Sequence, residues 1–148
     1  MKKMTVVLVM LLIVLGCSTQ PIQKQVISSP NAPAAIGPYS QAIRVGNTLY
    51  LAGQLGMIPE TGKLAEGFEA QARQALKNHK SIIEEAGFSM TDVVQVQVFV
   101  SDMNEYPKFN AIYTDFFKSD YPARGVLEVS RIPANGLIEI MMVAVKTG

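Results

Sequence analysis

The 148-residue chain has one cysteine, one histidine and no tryptophan, and 12 acidic residues almost cancel its 13 basic ones. A single cysteine excludes any internal disulfide. A single histidine, with no second cysteine to join it, excludes the clustered ligands of a zinc site, and no Gly-x-Ser-x-Gly turn is present to carry a serine nucleophile. Near neutrality excludes a nucleic-acid partner held by charge, because phosphate contacts need clustered Lys and Arg. One stretch suggests a phosphate loop, GMIPETGK at 56–63. It has five residues between its glycines where four are required, and Leu64 where a hydroxyl must hold magnesium, so it reads as a surface loop. No internal repeat or low-complexity block interrupts residues 31–148, which are enough for one domain.

What the chain does have, at its start, is Met1, Lys2 and Lys3 followed by an apolar run over 4–16, the charged and hydrophobic regions of a secretory leader. Thirteen residues are too few for a spanning helix, which needs ~20, so removal of residues 1–16 is expected. The run ends in Val14-Leu15-Gly16-Cys17-Ser18. This resembles the bacterial lipobox, with Leu15 in place of the usual Ala or Ser. Cys17 would then carry acyl chains that hold the protein at a membrane, each buried methylene contributing ~0.8 kcal/mol. A free thiol after an ordinary cleaved leader is the alternative. Lipidation implies an exported cell-envelope protein on the periplasmic side, and Ser18 is compatible with outer-membrane sorting. Residues 17–30 are polar after the cysteine, rich in Gln, Ser and Pro, and are expected to form a flexible tether to a domain over 31–148. Without Lys2 and Lys3 the mature chain has net charge about −1.

Within that domain, residues 42–46 and 48–54 flank Gly46-Asn47, the signal for a tight hairpin. Over 66–86, Phe68, Ala72, Ala75, Leu76, His79, Ile82, Ile83 and Ala86 recur at three- and four-residue spacing, an amphipathic helix closed by Gly87. Residues 92–101 alternate as a strand. A second helix is expected over 104–118, with Pro107 in its first turn and Phe109, Ile112, Tyr113, Phe116 and Phe117 on one side. Two further strands, 123–131 and 137–146, are joined across Asn135-Gly136. The order ββαβαββ predicts an α+β fold, one sheet with both helices on one face. The last strand is apolar on both sides, with Ile138, Ile140, Met142 and Ala144 on one and Leu137, Met141, Val143 and Val145 on the other. It therefore expects cover on both faces. With no third helix, that cover is expected from a second subunit.

Two charged residues stand out. Glu139 lies in the middle of the apolar last strand, where burial would raise its pKa; a proton acceptor and a buried structural ion pair both fit. Arg124, in Tyr121-Pro122-Ala123-Arg124-Gly125, shares a face with Val126, Glu128 and Ser130. It suits either a surface pair with Glu128 or bidentate capture of a substrate carboxylate. His79, on the apolar side of the first helix, reads as a packed core histidine with no chemical role.

Several segments taken in order resemble the RidA/YjgF family of reactive-intermediate deaminases. They are Asn31-Ala32-Pro33, IGPYSQA at 36–42, Ala52-Gly53-Gln54, VFVSDM at 98–103, NAIYTDFF at 110–117 and PARGVLEVSRIPANGLIEI at 122–140. The resemblance implies a chorismate-mutase-like α+β fold and a homotrimer with clefts between subunits. It also implies hydrolysis of 2-imino acids, tautomers of enamines such as 2-aminoacrylate, to 2-keto acids and ammonia, with no cofactor and no metal. By position, Arg124 would pair with the substrate carboxylate and Glu139 would orient the attacking water. Tyr39 and Asn110 would line the cleft, and the Gly53 backbone would contact substrate. The chain departs from the commonest pattern at Ala52 (often Ser), Val126 (often Cys) and Met141 (often acidic). A binding or chaperone-like lipoprotein that keeps the fold without catalysis is the competing reading. Finally, if the last two strands form a hairpin about Ala134, Arg124 faces Ala144. Glu139 then lies ~17 Å further along at ~3.3 Å per residue, so the two residues would meet only between subunits.

Overall fold

The computed structural model describes residues 23–147. The leader and Cys17 lie outside the described residues. Strands β1 (Lys24–Ile27), β2 (Ala42–Val45) and β3 (Thr48–Leu55) precede helix α1 (Phe68–Glu85). Then come β4 (Val93–Val100), α2 (Tyr106–Phe116), β5 (Ala123–Glu128) and β6 (Ile138–Val145). The six strands form one sheet in the order β1-β2-β3-β6-β4-β5. The fold begins inside the segment expected as a tether: β1 pairs with β2 as an antiparallel edge strand, which corrects the boundary at residue 31. Three of its four residues are exposed, so it carried no hydrophobic period to read.

The Gly46-Asn47 hairpin forms between β2 and β3, with Gly46 at φ 58°. Helix α1 ends at the expected glycine, Gly87 at φ 75°, where a left-handed residue is cheapest. The expected hairpin between the last two strands does not form. β5 pairs in parallel with β4, reached through α2, and β6 inserts between β3 and β4, antiparallel to both. A parallel neighbour needs a helical crossover, and α2 provides it. The Asn135-Gly136 pair builds no hairpin turn. Ala134 and Asn135 take the positive φ values, 56° and 58°, in a short 3₁₀ turn that carries the chain to the sheet centre.

Central placement explains why β6 is apolar on both sides. Ile138, Ile140, Met142 and Ala144 are buried against the helices with Leu49, Leu51, Val96, Val98 and Val100. On those helices Ala72, Ala75, Leu76, Ile82 and Ile83 of α1, with Phe109, Ile112 and Tyr113 of α2, complete the core. The opposite face, where Tyr50 is level with Val143 and Phe99 with Glu139, has no helix on it among the described residues. Tyr50 and Met141 there are exposed.

Candidate active site

Arg124 is level with Val96, a residue of the helix-covered face, at the sheet edge. Its guanidinium reaches α2, where Nη2 donates to Asn110 Oδ1 at 2.7 Å and to the Tyr106 hydroxyl at 3.2 Å. The cation lies 4.5 Å from the Tyr113 ring centroid and 5.5 Å from that of Phe109, stacking that favours a delocalised guanidinium. Tyr106, Asn110 and Tyr113 stand four and three residues apart, so one helix face presents all three. Glu128, the alternative partner, instead accepts the Met103 N–H at 2.8 Å. Among the described residues no carboxylate pairs with Arg124. Thr114, Tyr121 and Pro122 complete its pocket. Burial pushes the Tyr113 hydroxyl up to about 12, Arg124 only partly opposing it. Asn110, and then Arg124, hold the Tyr106 hydroxyl below its ordinary value.

Glu139 belongs to the other side of the sheet. It is level with Phe99 on β4 and Leu55 on β3, half-buried, and desolvation alone pushes its carboxyl above the ordinary range. Opposite it β3 is bulged: Ala52 and Gly53 fit between the Leu51–Met142 and Gln54–Ile140 pairs, where β6 has only Met141. The bulge brings Gly53 against the carboxylate so closely that a Cβ there would lie 2.0 Å from Glu139 Oε1. Only glycine permits this approach. Gly53 also lines a small cleft with Pro33, Ile36, Tyr39, Gln54 and Met57. Tyr39 is held in its loop by accepting the Ile36 N–H at 3.2 Å. The loop itself is organised by buried Gln41, which accepts from Ser29 N at 2.6 Å and donates to Pro33 O at 2.8 Å.

The residues expected in one site therefore form two half-sites, Arg124 with Asn110, and Glu139 with Gly53 and the Tyr39 loop. They do not meet within a subunit, though not for the reason expected from a hairpin. Arg124 is level with Val96 and Glu139 with Phe99, an offset of two strands and three residues that separates their backbones by ~14 Å. The two side chains also leave opposite faces of the sheet. Sequence reading missed Tyr106, Tyr113 and Gln41. The four-and-three spacing on α2 was the available signal for the first two.

Among the described residues no group of three His, Cys, Asp or Glu side chains could hold a metal ion, and no helix is long and apolar enough to cross a membrane. His79 is fully buried, with Nε2 2.7 Å from Ile140 O, and desolvation lowers its pKa to about 4. It is neutral near pH 7 and enclosed in the core, on the helix-covered side of β6.

One sheet under two helices, with the Arg124 guanidinium and the Glu139 carboxylate on opposite faces, defines a small α+β domain. The chain belongs to the endoribonuclease L-PSP family, whose model matches residues 29–146. It is 48% identical over 124 residues to a RutC family protein of Pyrococcus horikoshii, covering 83% of this chain and 98% of that protein. It is 45% identical to the human 2-iminobutanoate/2-iminopropanoate deaminase, covering 83% and 90%. A crystal structure of RidA from an Antarctic Psychrobacter superposes with a TM-score of 0.81 at 43% identity, covering 82% of this chain and 99% of that one.

Proposed function

We propose that the protein hydrolyses 2-imino acids to 2-keto acids and ammonia in a cleft between subunits of a homotrimer. The observation that carries this reading is the guanidinium of Arg124, held open by Asn110, Tyr106 and Tyr113 with no carboxylate of its own. A planar fork so placed captures a substrate carboxylate by two parallel hydrogen bonds. Glu139, with its pKa raised, takes a proton from water as the oxygen adds to the imine carbon, giving a carbinolamine. The nitrogen receives that proton and then the hydroxyl's, and the C–N bond breaks as the carbonyl forms, so that one water is consumed and one ammonia released. The imine carbon is already electrophilic, so placement is the main task and no cofactor is required. The deaminase named in human is 45% identical over nearly the whole domain, which supports the same substrate class.

The ribonuclease implied by the family's description fits less well. Acid–base cleavage of RNA calls for an accessible histidine or an equivalent pair, and the only histidine here is buried on Ile140 O. The oligomer is supported by the uncovered face carrying Tyr50, Met141 and Val143, and by the separation of the half-sites. Mixing Arg124→Ala with Glu139→Gln subunits should restore activity in hybrid trimers; no recovery despite proven exchange would count against the shared site. The leader and Cys17-Ser18 support export and lipid attachment, which acyl labelling lost in Cys17→Ser would test. The activity itself is tested by generating 2-imino acids in situ with an amino-acid oxidase and timing keto-acid release. Rates equal to buffer, or unchanged by Arg124→Ala, would remove the enzyme reading.

A further inference from the structure

The interior side of α1 is not wholly apolar: Gln71, Asn78 and His79 are all buried there. Gln71 and Asn78 both bond backbone close to Glu139 and Gly53, and His79 Nε2 meets Ile140 O, while His79 Nδ1 has no partner among the described residues. Gln71 Oε1 accepts the N–H of Leu137 at 2.8 Å, two residues before Glu139, while its Nε2 donates to Ala65 O at 3.1 Å. Asn78 Nδ2 donates to Leu55 O at 3.1 Å and Met57 O at 2.9 Å, just after Gly53 and Gln54, and Gln74 fixes its amide by donating to Oδ1 at 2.8 Å. Leu137 precedes the β6 ladder, which begins at Ile138; on the β4 side its carbonyl accepts from Ser101 N at 3.1 Å, and its N–H is taken by Gln71. The helix reaches it because Gly56 lets the backbones touch: a Cβ there would lie 2.3 Å from Gln71 Cα.

We propose that Gln71 is a positioning residue for Glu139. From α1 it anchors the entry to β6 at Leu137 while Asn78 anchors the exit from β3, and together they keep the carboxylate against Gly53. Small errors in that placement are costly in rate even when the fold survives. The inference rests on the reading of Glu139 as the group that orients water. It differs in character from core packing, because the loss of Gln71 should leave the Arg124 pocket, and hence substrate capture, unchanged.

The test compares wild type with Gln71→Met, which keeps the volume and removes both hydrogen bonds. On imino acids generated in situ, kcat per folded subunit should fall about ten- to a hundredfold with KM changed less than about twofold. Independently of activity, the Glu139 carboxyl followed by ¹³C NMR without substrate should titrate nearer the ordinary glutamate value, since burial is what raises it. A lowered melting temperature with wild-type kcat and wild-type carboxyl titration is the result of a merely structural glutamine and would overturn the proposal. Should Gln71→Met yield no folded protein, Asn78→Ser, too short to reach Leu55 and Met57, is judged by the same two readouts. If the wild type proves inactive on every imino acid the proposed function fails, and the carboxyl titration alone then decides whether Gln71 positions Glu139.

Discussion

The two half-sites are built on opposite principles. Arg124 sits on a six-residue edge strand and is held by side chains, with Asn110 and Tyr106 as hydrogen-bond partners and Tyr113 as a platform. Glu139 sits on the central strand and is held by backbone: a bulge, a glycine with no room for a side chain, and strand ends fastened by α1. On the proposed function, a cation that captures an incoming anion gains from an accessible, stacked position. A carboxylate that must stay desolvated gains from a rigid one. The first half should thus govern binding and tolerate local change, and the second should govern turnover and tolerate little.

The sharpest way to break that contrast is Glu139→Gln, expected to lower kcat by about 10²- to 10⁴-fold with KM nearly unchanged. A burial-raised carboxyl also costs stability above its unfolded pKa, so the same variant should melt slightly higher than wild type at pH 7. A large KM effect from Glu139→Gln would mean that the halves are not separate.

The next effect lies beneath the Glu139 half. His79 is fully buried and its pKa drops from 6.5 to about 4, so the unfolded chain takes up a proton that the native chain refuses. Stability is complete above pH 6.5, declines as pH falls through that value, and levels off below about 4. The full loss is about 3 kcal/mol per subunit. Chemical denaturation of His79→Leu across pH 4–7 should show a flatter dependence than wild type, and identical slopes would exclude His79 as the source. Gly53→Ala should follow in size. Its Cβ meets the flexible end of Glu139, so the carboxylate yields before the backbone does; kcat should fall about tenfold while the melting temperature barely moves.

These contrasts also mark where sequence reading succeeded. Local signals sufficed for α1, β4 and the Gly46-Asn47 turn, because a periodic face or a turn residue is decided within a few residues of chain. The neighbours of β6 are a non-local choice. A strand apolar on both sides announces that it is central without saying between which strands, and Asn135-Gly136 suggested a hairpin that the burial of β6 overrides. Glu139 was visible as a charge out of place, and Arg124 was visible only as a charge. What makes Arg124 available is that Glu128 turns to Met103 N, a contact 25 residues distant in the chain and beyond any pattern. Gln71 and Asn78 read as ordinary polar helix residues, since nothing local says that their amides meet backbone on β3 and β6.

The smallest predicted effect probes the Arg124 half most cleanly. Tyr106 is the longer of the two hydrogen bonds to Arg124, 3.2 Å against 2.7 Å for Asn110, and its ring also faces the guanidinium at 5.7 Å. Tyr106→Phe removes the hydroxyl and keeps the ring, leaving Asn110 and Tyr113 to orient the fork. The side chain is exposed, so its hydrogen bond competes with water and its loss should raise KM only about two- to fivefold. kcat should stay at the wild-type value, because Asn110 and Tyr113 still fix the guanidinium. A fall in kcat at constant KM would show that the orientation of the carboxylate, beyond its capture, sets how the imine carbon meets the water, and would join the two halves into one catalytic unit.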